Sequence, residues 1–390
     1  MFAERMSGVK SSAIRDILKI ISKPGMISLA GGLPAPELFP VKELAKSSDQ
    51  VLAKHGYSAL QYSVTEGILP LREKIVKRLD PDARQLTPDN ILITQGSQQG
   101  LDLISKIFID KGSLVMTENP SYLGALQSFQ LFQAEIAAIP SDKNGIIISA
   151  LRERLKTAKP KFLYIMPNFQ NPTGISYPLD RRRELVAAAK EHELIIVEDD
   201  PYGELIFEGE RMPSLFSLAE GGNVIHMSTF SKTVAPGFRV AYVAGNETII
   251  KNLVIAKQGT DLHTNTFGQY VVNEYLENGG YQAHIELIRA TYRKRRDVML
   301  AAMERWFPKT LSWNKPCGGM FFWVMLPSGW DAAEILVKCI EHDVAFVPGK
   351  EFFPDGSGKN TLRLNFSNAA PDYIEEGIKR MGEVFNAIPS

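Results

Sequence analysis

The sequence predicts an α/β fold: a mainly parallel sheet covered on both faces by helices, followed by a smaller α+β domain. Three observations predict it. From about residue 91, short continuous apolar runs recur: ILIT at 91–94, LVM at 114–116, FLYIM at 162–166, LIIV at 194–197, VIHM at 224–227 and VAYVA at 240–244. Segments of helical periodicity at 97–109, 121–132 and 179–192 fall between several of them. Strands that are apolar throughout and separated by helices suit a parallel sheet buried on both faces. Beyond a long charged helix at about 281–305 the pattern changes. GGMFFWVML, a helix near 331–342, VAFVPG, TLRLNF and a final helix from about 371 make a small α+β unit.

Ahead of the sheet, Ile14, Ile17, Leu18 and Ile21 recur at helical spacing, and Lys23-Pro24-Gly25 stops the pattern. The following ISLAGGLPAPELFP is too rich in Gly and Pro for a regular element and predicts an extended loop. Together these read as an N-terminal arm packed on the body or on a partner chain. An apolar fraction of 44% with 23% charged residues is enough to bury a substantial core. Lys+Arg and Asp+Glu both number 44, so the net charge of zero gives no basic excess for nucleic acid. Two cysteines, Cys317 and Cys339, are too few for a disulfide framework and fit a reducing compartment. The first residues carry scattered charges without a signal-peptide core, and no apolar run approaches a membrane span. The expectation is a soluble cytoplasmic protein without a metal site.

In such sheets ligands bind beyond the carboxyl ends of the strands, so the residues following each run are where chemistry is expected. After ILIT comes Gln95-Gly96-Ser97-Gln98-Gln99-Gly100, a strand-to-helix turn able to present backbone N–H groups and a hydroxyl to a phosphate. A plain helix cap accounts for the same residues. After FLYIM comes Pro167-Asn168-Phe169-Gln170-Asn171-Pro172-Thr173-Gly174, which also reads as a turn. After LIIV come Glu198, Asp199 and Asp200, followed by Tyr202; carboxylates at the mouth of a buried strand are costly unless a cation pairs with them. After VIHM come Ser228-Thr229-Phe230-Ser231-Lys232, with Arg239 seven residues on.

A phosphorylated carbonyl ligand needs such a set. Pyridoxal 5′-phosphate requires an amine to form an imine and a carboxylate opposite the pyridine nitrogen, so that the ring can accept electrons from a substrate Cα. It also requires phosphate donors, a flat group against the ring and donors to the phenolic oxygen. Lys232, Asp199, Ser97, Arg239, Asn171 and Tyr202 meet all of these but the ring-face partner.

In combination and order, Gly-Ser-x-Gln, Asn-Pro-x-Gly, Asp-x-x-Tyr, Ser-x-Lys with a distant arginine, and a late arginine in Leu-Arg-Leu-Asn-Phe-Ser resemble the fold-type I, class I/II aminotransferases from about Ile14 to the end. ISLAGGLPAPELFP, ALQYS and PNFQNPTG resemble the branch with 2-aminoadipate (LysN-type) and kynurenine/aminoadipate aminotransferases. The resemblance implies the PLP-transferase fold: a large domain with a mainly parallel seven-stranded sheet, plus the small domain. It implies an arm over 1–55, a cofactor-binding domain over 56–285 and a small domain over 286–390.

Position by position, Lys232 matches the Schiff-base and proton-shuttling lysine, and Asp199 the partner of the pyridine nitrogen. Asn171 and Tyr202 match donors to the phenolic oxygen, and Tyr122 the aromatic that stacks on the ring. Ser97, Gln98, Thr229, Ser231 and Arg239 match the phosphate cup, with Thr229 keeping the hydroxyl where serine is more usual. Tyr62 matches a tyrosine reaching the neighbouring subunit's cofactor, which implies a homodimer with shared sites. Arg363 matches the arginine that grips the substrate α-carboxylate, a task for a planar fork. Gly32 matches a glycine close to the substrate, and Arg15 an arginine for a distal carboxylate, although a solvated helix charge is an equal reading of Arg15.

The implied activity is ping-pong transfer of the α-amino group of 2-aminoadipate, glutamate, leucine or an aromatic amino acid to a 2-oxo acid such as 2-oxoglutarate. Two rivals share the fold: a β-lyase or decarboxylase, and a MocR-like regulator that senses the cofactor. The second expects a winged helix-turn-helix ahead of the aminotransferase part, for which a match beginning within the first fifteen residues leaves no room. A nucleotide-binding α/β protein is disfavoured, because no Gly-x-Gly-x-x-Gly follows a strand.

Overall fold

The computed structural model describes residues 2–6, 25–79, 86–278 and 280–388. The N-terminal helical pattern and Arg15 lie outside the described residues. Within the loop that follows, Ile27–Ser28 forms a short strand (β1), and Pro36–Leu38 forms a single 3-10 turn. The rest of the segment is irregular, as its glycines and prolines require.

The large sheet contains β2 (Ile91–Gln95), β3 (Leu114–Asn119), β4 (Glu135–Asp142), β5 (Gly145–Ile146), β6 (Leu163–Ile165), β7 (Ile196–Asp199), β8 (Val224–Thr229) and β9 (Val240–Ala244). Its spatial order is β2-β9-β8-β7-β6-β3-β4-β5. From β8 across to β4 all neighbours are parallel. β9 runs antiparallel to both its neighbours. The cause is the short connection 230–239, because a parallel return needs a crossover of about a dozen residues or more, usually helical. The eighth strand beyond the expected seven is β5, which folds back on β4 as a hairpin. The periodicity also missed β4, since Glu135 and Asp142 at its ends and Pro140 within it break any continuous apolar run.

Alternate residues of the central strands feed two different cores. Leu92, Val115, Tyr164, Val197, Ile225 and Val243 join one apolar cluster. Their neighbours Ile91, Met116, Leu163, Ile196, Val224 and Ala244 join the other. This two-sided burial explains why the runs are apolar throughout, and each full burial of such a side chain contributes about 1.5–3 kcal/mol. Helices Ser97–Phe108, Leu123–Leu131 and Leu179–Glu191 form where periodicity placed them. Asn246 and Asn265 cap the helices Glu247–Gln258 and Thr266–Glu277 through their side-chain oxygens.

The helix Gly280–Trp306 leads to an antiparallel sheet of β10 (Ser312–Trp313), β11 (Phe321–Met325), β13 (Val347–Pro348) and β14 (Thr361–Asn365), in the order β10-β11-β14-β13. β12 (Val344–Ala345) pairs in parallel with β1, which fastens the arm to this unit. The Ala35 amide donates to the Tyr292 hydroxyl at 2.9 Å, and the Ser367 hydroxyl donates to the Leu33 carbonyl at 2.8 Å. The arm is thereby held over the carboxyl ends of the large sheet. Among the described residues, no helix is long and apolar enough to cross a membrane.

Candidate active site

Strand alternation sorts the three carboxylates after LIIV. Glu198 turns to one face of the sheet, where it accepts from the Leu215 and Phe216 amides at 2.9 and 3.0 Å and meets His226 Nδ1 at 3.0 Å. Burial opposes its charge, yet the His226 contact and the two amides hold its carboxyl below the usual range. Asp200 accepts from the Gly203 amide at 2.8 Å and serves the turn. Only Asp199 faces the opposite side and lines the cleft at the sheet's carboxyl edge. It is 2% exposed, and burial pushes it up to about 7 against the opposing hydrogen bond from Tyr164. One oxygen accepts from the Tyr164 hydroxyl at 2.8 Å, whereas Oδ1 has no partner among the described residues.

The cleft has a volume of about 390 Å³. At one end, Gly96 precedes the helix Ser97–Phe108 with a positive φ of 78° and caps it without a side chain. The Ser97 hydroxyl is therefore not spent on capping; it is buried and unpartnered among the described residues. A Cβ on Gly96 would stand 2.2 Å from Arg239 Nη2, so the absent side chain is what lets the guanidinium approach. Thr229 Oγ1 donates to Ser231 Oγ at 2.9 Å and accepts from the Ser231 amide at 3.1 Å, a closed loop of hydroxyls beside the same helix start. Backbone N–H groups, hydroxyls and an arginine at a helix N-terminus suit a phosphate.

Lys232 follows this loop and points into the cleft, where its ammonium donates to the Gly32 carbonyl at 2.9 Å. Burial first, then Arg363 and Arg239, pull its amine down to about 8. Arg363 comes from β14 and is 2% exposed, stacked over Phe321 at 4.3 Å and near Phe352 at 5.1 Å. It donates from Nη1 to Asn171 Oδ1 and from Nη2 to the Ala30 carbonyl, both at 2.7 Å, and its Nε is unpartnered among the described residues. Asn171 sits in a turn closed by Gln170, which accepts from the Thr173 amide at 3.0 Å and donates to the Pro120 carbonyl at 2.7 Å. The loop is a turn, and its Asn171 lines the cleft.

Gly32, Ser97, Gln98, Tyr122, Asn171, Asp199, Tyr202, Thr229, Ser231, Lys232, Arg239 and Arg363 all line this one cleft. Tyr62 does not; it is 79% exposed and edge-on to His263 at 5.8 Å. Met166, Pro201 and Pro236 also line the cleft, and nothing in their local pattern singles them out beforehand. Tyr164 and the buried Glu118, which accepts from the Met166 amide at 2.8 Å and the Tyr177 hydroxyl at 2.6 Å, support it from below.

Three buried groups on residues that line the cleft have no partner among the described residues: the acceptor Asp199 Oδ1, the Ser97 hydroxyl and the donor Arg363 Nε. Each group left unmet costs about 1–3 kcal/mol. A protonated pyridine nitrogen, a phosphate and a substrate carboxylate have the complementary chemistry. The fold and this donor set define a pyridoxal-phosphate-dependent enzyme.

The chain belongs to the class I and II aminotransferases, matching that family over residues 24–381. It is 43% identical over 390 residues to the 2-aminoadipate transaminase of Thermus thermophilus, covering 99% of this chain and 97% of that one. To aromatic-amino-acid aminotransferase 1 of Thermococcus litoralis it is 44% identical over 391 residues, covering 98% and 93%. The crystal structure of LysN, the α-aminoadipate aminotransferase of Thermus thermophilus complexed with N-(5′-phosphopyridoxyl)-L-leucine, matches with a TM-score of 0.93 at 42% identity, covering 99% and 97%. The protein is thus a transaminase of the fold-type I class that works with pyridoxal phosphate.

Proposed function

We propose that this transaminase takes the α-amino group of 2-aminoadipate or glutamate, with leucine and aromatic amino acids as further donors, and passes it to 2-oxoglutarate in ping-pong fashion. The observation that carries the reading is the buried Arg363 fork beside a lysine amine held near neutrality. When bound, pyridoxal phosphate supplies an electron sink for charge developing at the substrate Cα.

Arg363 binds the α-carboxylate, exchanging Asn171 Oδ1 or the Ala30 carbonyl for the substrate's two oxygens. Asn171 and Tyr202 would donate toward the phenolic oxygen, and Tyr122 would lie against the ring. Ser97, Gln98, Thr229, Ser231 and Arg239 would hold the phosphate. Asp199 would hold the protonated ring nitrogen. Lys232, neutral in an appreciable fraction at pH 8, would take the Cα proton on Nζ and hold it for return. Gly32 lets the arm approach the substrate.

Arg15 is proposed to receive a distal carboxylate, which rests on resemblance alone. Likewise proposed are a cytoplasmic homodimer in which Tyr62 reaches the partner's site, and a division into segments 1–55, 56–285 and 286–390. The 79% exposure of Tyr62 supports the dimer, since a large aromatic so exposed suits a contact surface.

The test is a screen of amino donors with 2-oxoglutarate. Glutamate formation from 2-aminoadipate is expected; release of pyruvate and ammonia, or of carbon dioxide, would replace the reading with a lyase or decarboxylase. If 2-aminoadipate and glutamate half-react no faster than leucine, the role of Arg15 is wrong.

A further inference from the structure

The geometry points to Tyr164 as the positioning residue of the site: its hydroxyl fixes which oxygen of Asp199 faces the cleft and favours the charged form of that carboxylate. The inference rests on the reading above, in which Asp199 partners the ring nitrogen.

Tyr164 lies in β6, wholly buried, and pairs in register with Val197 of β7. Asp199 is two residues beyond Val197, so its side chain leaves the same face of the sheet. The phenol reaches along that face to donate to Asp199 Oδ2 at 2.8 Å. Its ring stands edge-on to Phe129 at 5.6 Å, within the apolar cluster on that face of the sheet. One carboxylate oxygen is thus pinned and the other, Oδ1, is left without a partner among the described residues at the cleft wall.

Charge on a buried carboxylate needs donors, and Tyr164 is the one side chain that hydrogen-bonds Asp199 among the described residues. Around the pair stand Asp200 just past the end of β7, His226 on β8, Tyr202 and Tyr122 at the cleft, and Glu118 on β3. Asp200 opposes the charge on Asp199 and His226 favours it, but both work from the other face of the sheet without a bond to it. Burial first, then Asp199 and Glu118, hold the Tyr164 phenol well above its ordinary range, so it remains a donor. A hydrogen bond to an ionised acceptor corresponds to about tenfold to a hundredfold in an equilibrium it controls.

The test compares holoenzymes of the unaltered chain, Tyr164→Phe and Asp199→Ala, loaded with pyridoxal phosphate labelled with nitrogen-15 in the ring. Tyr164→Phe is expected to move the ring-nitrogen resonance toward the unprotonated position and to weaken cofactor binding about ten- to hundredfold. It should also lower kcat while KM for the amino acid stays put. Incorporating 3-fluorotyrosine at 164, a stronger donor of nearly the same shape, should move the resonance the opposite way, which a merely structural role would not do. If Tyr164→Phe and the fluorinated chain keep the original resonance and affinity while Asp199→Ala loses both, the inference is overturned and the reading of Asp199 stands. If Asp199→Ala also keeps both, the reading of Asp199 falls and the inference with it.

Discussion

Arg363 of the small antiparallel sheet donates to Asn171 Oδ1 of the large-sheet turn at 2.7 Å, joining the two halves of the cleft through one buried guanidinium. The contact holds the fork in the plane between Phe321 and Phe352 and leaves Nε unspent among the described residues. A lysine there could neither stack in that way nor offer two parallel donors. Arg363→Lys is therefore expected to raise KM for the amino donor by roughly a hundredfold, two charge-assisted hydrogen bonds being at stake. Cofactor binding should barely change. Steady-state kinetics together with a cofactor titration check both halves.

The amine of Lys232 is pulled down to about 8, chiefly by burial and then by Arg363 and Arg239. Only a neutral amine can attack a carbonyl carbon. The rate at which pyridoxal phosphate attaches to the cofactor-free protein should therefore climb with pH up to about 8 and level off above it. The sign for stability is the same: the unfolded chain keeps this proton up to about 10.5, so the folded state gains as pH rises from about 8. Lys232→Ala should fold and bind the cofactor without the absorbance of the lysine-linked form. A variant that kept this band and full turnover would remove Lys232 from its role.

Glu118 and Asp199 are both pushed up to about 7 by burial, from ordinary values of 4.5 and 3.8. Between those limits the folded, cofactor-free chain holds protons that the unfolded chain has lost. Its stability should accordingly fall as pH climbs from about 4 to 7. Glu118→Gln and Asp199→Asn should each flatten part of that slope. Urea unfolding at pH 5 and pH 8 measures it, and a slope unchanged in both variants would contradict the assignment.

Gly96 admits the Arg239 guanidinium because it has no side chain, and its φ of 78° is a conformation that alanine adopts only at a cost of about 1–3 kcal/mol. Gly96→Ala should weaken pyridoxal phosphate binding at least tenfold, with the fold retained. Equilibrium dialysis against the cofactor, read beside the circular dichroism of the variant, separates the two effects.

Much of the fold was legible because burial on both faces writes itself into composition. The runs at β2, β6, β8 and β9 are mostly apolar and buried at nearly every position, and the helices between them keep their period. β4 was not legible, because its half-exposed strand carries charge at both ends and a proline inside. The antiparallel direction of β9 left its mark only in the shortness of 230–239. In the site, Lys232, Asp199 and Arg239 could be found because they interrupt apolar pattern at strand ends. Tyr164 could not: within FLYIM it looks like any other core aromatic, and only its distance to Asp199 gives it a chemical meaning.

Local signals for strand, turn and helix were enough to set which residue types the cleft would hold and their order along the chain. The resemblance singled out Asp199 among three consecutive carboxylates; why it, and not Glu198 or Asp200, lines the cleft is given only by packing in three dimensions. That choice follows from the two-residue period of β7 against the packing of its two faces: Glu198 is committed to His226 on one side, and Asp199 is committed to Tyr164 and the cleft on the other. Packing also brought Arg363 to Asn171, 192 positions away, a juxtaposition that exists only once the arm and the small sheet close over the carboxyl edge of the large one.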